Sequence, residues 1–129
     1  MRAVAARPIV LICEDELHLR ELIRISLDDV YDVVEAGSVA EARAVLEKTQ
    51  PDLAIVDLML PGGSGLDVLR AVHERAGERV PVVVVTAWAT GDYRRAAEEA
   101  GATAFVSKPF VPDELAELIG RLLEEAGGA

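Results

Sequence analysis

The sequence contains a single cysteine, Cys13, among 129 residues, which excludes an internal disulfide framework. A lone thiol fits a reducing compartment, and we expect a cytoplasmic protein. Aromatic residues are scarce, at 4% of the chain, so aliphatic side chains must supply most of the core. Long apolar runs are missing too: the longest, Val80 to Ala89, is interrupted by Pro81 and Thr86 and is too short to span a bilayer.

Positive charge is also in deficit, because 13 lysines and arginines stand against 23 acidic residues and give a formal net charge of −10. The acidic residues are spread along the chain, and such a surface repels nucleic acid phosphates. We therefore expect no direct contact with nucleic acid, and partners that are basic proteins or cations. Residues 1–8 are mildly basic and lack the longer apolar core and the cleavage site of a signal peptide. We expect no membrane association.

Five short apolar runs divide the chain, and each is followed by turn-forming residues and then by apolar residues at helical spacing. Runs that are apolar on consecutive residues and rich in valine are typical of strands buried on both faces of a parallel sheet. We predict strands at Ile9–Cys13, at Tyr31–Glu35, in the run from Leu53 that ends at Asp57, at Val80–Thr86 and at Ala104–Ser107.

The segments between these runs predict five helices. The first has an apolar face that includes Leu22, and Ser38 with Glu41 matches a capping box at the start of the second. The fourth differs, because its inner face offers mainly one tyrosine and three alanines, which bury little area. We expect it to be the loosest helix. The helices are expected to begin after Glu16, at Ser38, at Ser64, near Asp92 and after Pro112.

Five strand-then-helix units joined by right-handed crossovers predict an α/β fold with three layers. The central layer is a five-stranded parallel sheet of order 2-1-3-4-5, with helices on both faces and the switch point between strands 1 and 3. The length allows one hydrophobic core. We predict a single domain over residues 1–129, with its core at about 8–126.

Polar residues collect where these strands end: Glu14 and Asp15 follow strand 1, Asp57 follows strand 3, Thr86 ends strand 4 and Lys108 follows strand 5. Strands 1 and 3 are neighbours in the predicted sheet, so three carboxylates converge at the switch point. Like charges this close are costly unless a cation lies among them, and Mg²⁺ prefers such oxygen ligands. Taken alone, Asp57 has three possible roles: nucleophile, metal ligand or cap of the following turn.

The combination meets the demands of phosphoryl transfer to a carboxylate. Asp57 is already ionised and needs no general base, while a metal ion, the Lys108 ammonium and the Thr86 hydroxyl can stabilise charge on the transferred group.

These residues resemble those of a response-regulator receiver domain of two-component signalling, with the flavodoxin-like (βα)5 fold. The resemblance extends from Ile9 to about Glu125. It rests on strand-end residues in their order along the chain: Glu14-Asp15, Asp57-Leu58-Met59-Leu60-Pro61 with Gly65, Thr86-Ala87 and Lys108-Pro109-Phe110.

The resemblance implies that Asp57 accepts a phosphoryl group from a sensor histidine kinase or a histidine phosphotransfer protein. It implies that Thr86 and Lys108 stabilise this group, that Phe105 is the aromatic switch residue and that the peptide bond before Pro109 is a candidate for the cis form. Mg²⁺, for which Mn²⁺ can substitute, would be held by Asp15, Asp57, Glu14 (directly or through water) and the backbone carbonyl of Met59.

The same resemblance implies a signalling module rather than an enzyme with a separate substrate. We expect no output domain in this chain, so that the signal passes to an output protein, or to an output domain absent from the chain. The docking face would be formed by helix 4, strand 5 and helix 5.

Three positions depart from the commonest pattern of the family. Glu14 stands in place of an aspartate, Phe105 lacks the hydroxyl of a tyrosine, and Val111 stands where a capping serine is usual before the last helix. Met59 and Trp88, two residues after Asp57 and Thr86, are bulky and apolar. We expect them to hinder water and to slow the loss of phosphate.

Three alternatives remain at this level. An aspartyl-phosphate phosphatase commonly needs a second aspartate two residues after the first, where this chain has Met59. A flavodoxin-like cofactor carrier needs a hydroxyl-rich phosphate loop, where this chain has Glu14-Asp15-Glu16. The third alternative is a receiver that is regulated without phosphorylation.

Overall fold

The computed structural model describes residues 7–127, and the architecture is the predicted one. Five parallel strands form one sheet in the order β2-β1-β3-β4-β5. The strands are β1 (Ile9–Cys13), β2 (Asp32–Ala36), β3 (Leu53–Val56), β4 (Val82–Thr86) and β5 (Ala104–Ser107). The helices are α1 (Leu17–Leu27), α2 (Val39–Lys48), α3 (Gly65–Ala76), α4 (Gly91–Ala100) and α5 (Pro112–Gly127). The predicted β2 is one residue early at both ends, whereas the predicted β4 begins two residues early and ends correctly at Thr86.

Side chains alternate between the two faces of the sheet and form two separate apolar clusters. On one face, β-strand residues such as Leu11 and Val84 pack with α2, α3 and Ala97 of α4. On the other face, residues such as Ile12 and Val83 pack with α1 and α5. The central strands are therefore buried on both sides, which explains why their sequences are continuously apolar.

Helix α1 turns only part of its apolar surface inward. Glu16 caps its N-terminus by accepting hydrogen bonds from the backbone N–H groups of His18 and Leu19. Ile23 and Leu27 are buried one turn apart. The prediction that Leu22 lies on the inner face is wrong, because its side chain is 44% exposed. A residue adjacent to Ile23 in sequence is rotated by about 100° around the helix axis.

The caps of α2 and α3 differ from the sequence prediction in detail. Ser38 Oγ accepts the Glu41 N–H at 3.1 Å, but the Glu41 carboxylate accepts the N–H of Gly37 rather than that of Ser38. The reciprocal capping arrangement occurs instead at α3. There Ser64 Oγ accepts a backbone N–H of the first turn, and the Asp67 carboxylate accepts the Ser64 N–H at 3.1 Å.

A two-stranded antiparallel hairpin, Met59–Leu60 with Gly63–Ser64, connects β3 to α3. It was not predicted, because only the turn was evident in the Pro-Gly-Gly sequence. Gly62 supplies the turn with a φ of 84°, which favours glycine. The hairpin begins two residues after Asp57, beyond the carboxyl end of β3.

Helix α4 buries only Ala97 completely, and the side chain of its N-cap residue, Thr90, makes no capping hydrogen bond. Its small buried face agrees with the sequence prediction. Among residues 7–127, no helix has the length and apolarity that crossing a bilayer requires.

Candidate functional site

The backbone hydrogen bonds of the sheet continue one residue past the strands and thereby position the candidate site residues. Glu14 N–H donates to the carbonyl of Ala36, and Asp57 N–H donates to the carbonyl of Cys13, both at 3.0 Å. Lys108 N–H donates to the Thr86 carbonyl at 2.9 Å. These residues therefore leave the sheet in register, and their side chains meet at its carboxyl edge.

Lys108 joins the two buried carboxylates of this edge. Its Nζ lies 2.7 Å from Glu14 Oε1 and 2.6 Å from Asp57 Oδ2. Burial acts to lower the pKa of Lys108, but the hydrogen bonds to Asp57 and Glu14 and their charges outweigh it, so the pKa lies above the ordinary lysine value. The ammonium therefore stays charged and offsets the repulsion between the two carboxylates.

Glu14 is 3% exposed, and both of its carboxylate oxygens are engaged. Oε1 accepts from Lys108, and Oε2 accepts the backbone N–H of Glu16 at 2.9 Å. Burial raises the pKa of Glu14, and the hydrogen bond from Lys108 offsets this only in part. The Glu14 carboxylate thus connects Lys108 to the backbone of the loop after β1.

Asp57 is 6% exposed and is fixed at both oxygens. Oδ2 accepts from Lys108, and Oδ1 accepts the Met59 N–H at 3.1 Å. By accepting the Met59 N–H, Asp57 caps the turn that follows β3. The same residue lies at the switch point between β1 and β3. A carboxylate held in this way has a defined orientation, which a nucleophile needs.

Glu14, Asp15 and Asp57 each offer a carboxylate oxygen, and these oxygens lie within 4.8 Å of one another. Asp15 is exposed, whereas the other two are buried. An all-oxygen donor set with one solvent-facing carboxylate fits a hard divalent cation that keeps some of its water, as Mg²⁺ does. The three residues could hold such an ion.

Thr86 and Phe105 contact α4 and the loop that leads to it. Thr86 is buried, and its Oγ accepts the Trp88 N–H at 3.2 Å, so the hydroxyl anchors the loop that leads to α4. The half-buried Phe105 ring lies under the guanidinium of Arg94, with 4.7 Å between the Arg94 Cζ and the ring centroid. This contact is of the cation–π type and connects β5 to α4. The peptide bond between Lys108 and Pro109 is cis.

Two further residues support the site, and sequence reasoning did not explain either one. A Cβ on Gly65 would lie 2.1 Å from the carbonyl oxygen of Asp57, so only glycine allows α3 to begin there. Arg20 of α1 donates to the Glu14 carbonyl at 2.8 Å. In the sequence, Gly65 could be identified only as part of the family motif. Arg20 was one of several charged residues on the polar face of the first helix.

A doubly wound five-stranded parallel sheet with an acidic cluster and a lysine at its switch point defines the class of CheY-like receiver modules. A family model for the response regulator receiver domain matches residues 10–120, and the chain belongs to this family. The predicted resemblance is confirmed.

Curated relatives include the phosphate regulon transcriptional regulatory protein PhoB of Pseudomonas aeruginosa, which is 33% identical over 120 residues. The response regulator protein PilR of the same organism is 37% identical over 119 residues. Each alignment covers 92% of this chain, but only 52% of PhoB and 26% of PilR. The chain therefore spans about half or less of the length of these relatives.

Solved structures of similar fold include a CheY-like response regulator receiver domain from Methanospirillum hungatei, with a TM-score of 0.89 and 27% identity over 95% of this chain and 98% of the other. The receiver domain of a putative LuxO repressor protein from Vibrio parahaemolyticus has a TM-score of 0.84 and 31% identity, covering 93% and 92% of the two chains.

Proposed function

We propose that this chain is a phosphoacceptor receiver domain, in which Asp57 accepts a phosphoryl group from a phosphohistidine of a sensor kinase or phosphotransfer protein. The observation that carries the proposal is the arrangement of Asp57 itself. Its carboxylate is oriented by Met59 N–H and Lys108, and it shares a cluster with the carboxylates of Glu14 and Asp15.

In the proposed step, an Asp57 carboxylate oxygen forms a bond to phosphorus while the bond from phosphorus to the imidazole nitrogen of the donor breaks. The bonding electron pair leaves with the imidazole, and no proton has to be removed from Asp57 because the attacking group is a carboxylate. Lys108 is close enough to move from a carboxylate oxygen to a phosphoryl oxygen. The Thr86 hydroxyl, freed from the Trp88 N–H, would be a second donor to that group.

The cation of this site would be Mg²⁺, with Mn²⁺ as a substitute. Asp15 and Asp57 would hold it, with Glu14 direct or through water and the Met59 carbonyl as a further ligand. The chemistry that the ion supplies is neutralisation of charge on the carboxylates and the transferred group. In the present structure, the Lys108 ammonium partly neutralises the carboxylates of Glu14 and Asp57.

Phosphorylation would then act on the face formed by α4, β5 and α5, where an output protein or an output domain outside this chain would bind. Helix α4 buries only Ala97 and contacts β5 through Arg94 and Phe105. An element with so little buried area can change position at low cost, which suits a two-state switch. In this proposal the chain is a signalling module, because the phosphoryl group is transferred to its own Asp57 and changes the binding of a partner.

The test is incubation of the chain with Mg²⁺ and a small phosphodonor such as acetyl phosphate, followed by intact mass measurement. We expect one phosphoryl adduct on the wild type, none on Asp57→Asn and none when the cation is chelated. Asp92→Asn is the control, because this exposed aspartate has only a long contact to Arg95 and should leave the adduct unchanged. An adduct of equal yield on Asp57→Asn, or none on the wild type, would contradict the proposal.

A further inference from the structure

Arg20 is the one basic side chain among the described residues that contacts the backbone of the loop between β1 and α1. Its Nη1 donates to the carbonyl of Glu14 at 2.8 Å, and its Nε donates to Glu35 Oε1 at 3.0 Å. The side chain is only 18% exposed. The guanidinium thus connects the loop that carries the acidic residues to the end of β2.

This contact fixes the peptide unit that connects the two acidic residues. The N–H of Glu14 is already held by the Ala36 carbonyl, so the bond from Arg20 secures the other end of the Glu14 backbone. A peptide group is planar, and the carbonyl of Glu14 lies in the same plane as the N–H of Asp15. Anchoring this carbonyl therefore sets the direction in which the exposed Asp15 leaves the loop.

The surroundings are shaped to fit an arginine. A Cβ on Gly37 would lie 2.7 Å from Arg20 Nη1, so the glycine leaves the space that the guanidinium occupies. Glu35 is held from its other side by Arg24, whose Nε lies 3.5 Å from Glu35 Oε2. A guanidinium presents several N–H groups in a rigid fork and can serve both acceptors at once, which an ammonium on a flexible stem does less well.

We propose that Arg20 is a positioning residue for the cation site: it holds the peptide between Glu14 and Asp15 so that the Asp15 carboxylate meets those of Glu14 and Asp57. The inference rests on the proposed function, since it concerns the cation of that site. Residues that orient metal ligands through hydrogen bonds typically change metal affinity by about 10- to 100-fold when they are removed.

Electrostatics and positioning predict opposite effects of removing this arginine. Loss of a positive charge near an acidic cluster would by itself tighten the binding of a cation. Loss of the bond to the Glu14 carbonyl would let the Asp15 backbone reorient and would weaken it. The sign of the change in affinity therefore distinguishes the two effects.

The experiment measures Mn²⁺ binding to the full chain by the electron paramagnetic resonance signal of the free ion, with Mg²⁺ affinity obtained by competition. We expect Arg20→Met to raise the dissociation constant about tenfold. Arg24→Met removes the same charge and also loses a contact to Glu35, but it does not touch the loop. This control should bind as the wild type does or more tightly. Circular dichroism establishes that each variant is folded.

Arg20→Lys keeps the charge and serves if the methionine variant does not fold. It cannot bond to both acceptors in the same way, and we expect the cation affinity to be weaker than in the wild type by about threefold or more. Wild-type or tighter affinity in a folded Arg20 variant overturns the inference while leaving the cation site intact. Absence of Mn²⁺ and Mg²⁺ binding in the wild type overturns the cation site itself, and the role of Arg20 with it.

Discussion

Lys108 determines how two buried carboxylates can lie side by side at the ends of neighbouring strands. Its ammonium contacts Glu14 and Asp57 at hydrogen-bonding distance, and the remaining oxygens of both carboxylates accept backbone N–H groups. Removing one member of a buried ionic group typically costs about 3–5 kcal/mol, because the others are left without compensation. The site is therefore held together by the same charges that its proposed chemistry uses.

Met59 and Trp88 are expected to control how long a phosphoryl group persists on Asp57. Their side chains are 46% and 49% exposed, and the Trp88 ring packs against Tyr93 with centroids 5.9 Å apart. Met59 and Tyr93 also line an apolar groove of about 360 Å³. We expect the double substitution Met59→Asn and Trp88→Glu to admit water and speed dephosphorylation by roughly tenfold, equivalent to about 1.4 kcal/mol of barrier.

Decay of the phosphoryl adduct, followed by intact mass, measures this lifetime. Val30→Asn is a suitable control, since Val30 is exposed and apolar but precedes β2 at the opposite edge of the sheet. An unchanged lifetime in the double variant would show that these side chains do not limit access of water.

Cys13 is expected to be unreactive in the folded protein. It is 1% exposed, and burial raises the pKa of its thiol to about 12, with Arg20 acting weakly in the opposite direction. A raised pKa keeps the thiol protonated, so at pH 8 roughly one molecule in ten thousand carries the reactive thiolate. Labelling by a disulfide reagent should be at least about a hundredfold slower in native protein than in urea, and should accelerate as the pH rises.

Absorbance of the released thiolate reports the labelling rate, and Cys13→Ser supplies the blank. Equal rates in the native and unfolded protein would mean that β1 opens readily and that burial does not protect the thiol.

At the scale of elements, the junction of β3 with α3 depends on a close approach of two backbones. Gly65 N–H donates to the Leu58 carbonyl at 2.8 Å, and a Cβ at this position would lie 2.1 Å from the carbonyl oxygen of Asp57. Backbone atoms cannot give way as flexible side chains do. We therefore expect Gly65→Ala to destabilise the fold by about 3 kcal/mol in urea unfolding, and to reduce phosphorylation of Asp57 by displacing its backbone.

Gly91→Ala is the matched control, because no atom lies within 4 Å of a Cβ placed there and the residue begins a helix. It should leave stability unchanged or raise it by up to about 1 kcal/mol. Similar losses in both variants would show that the close contact at Gly65 is not the cause.

The helices contribute unequally to the fold, and the inequality follows their sequences. Helix α3 buries Val68, Leu69 and Val72, whereas α4 buries only Ala97. A fully buried valine or leucine contributes about 1.5–3 kcal/mol, which an alanine cannot match. Because of differences of this size, we expect α4 to be able to move without unfolding the rest of the domain.

At the scale of the whole molecule, the two faces of the sheet carry separate apolar clusters while one edge carries the acidic site. The fold class and strand order could be predicted from the sequence because five apolar runs alternate with helical spacing, and right-handed crossovers leave few arrangements. The location of the candidate site residues could be predicted for a similar reason. A polar residue directly after a parallel strand must lie at the carboxyl edge, where Asp57 and Lys108 do lie.

The rotation of a helix and the partners of a capping side chain could not be predicted in this way. The exposure of Leu22 depends on how α1 is rotated against the sheet, and the bond of Glu41 to Gly37 depends on the path of the chain before α2. The spacing of residues along one segment carries no information about either.

The sequence by itself determined the layers, the order of the strands and the collection of Glu14, Asp15, Asp57 and Lys108 at one edge, since each follows from local periodicity and from strand direction. Only the tertiary structure decided how those groups are oriented. The bridge made by Lys108, the hold of Arg20 on the Glu14 carbonyl and the fit of Gly65 against Asp57 all join separate elements, so they exist only once those elements are packed.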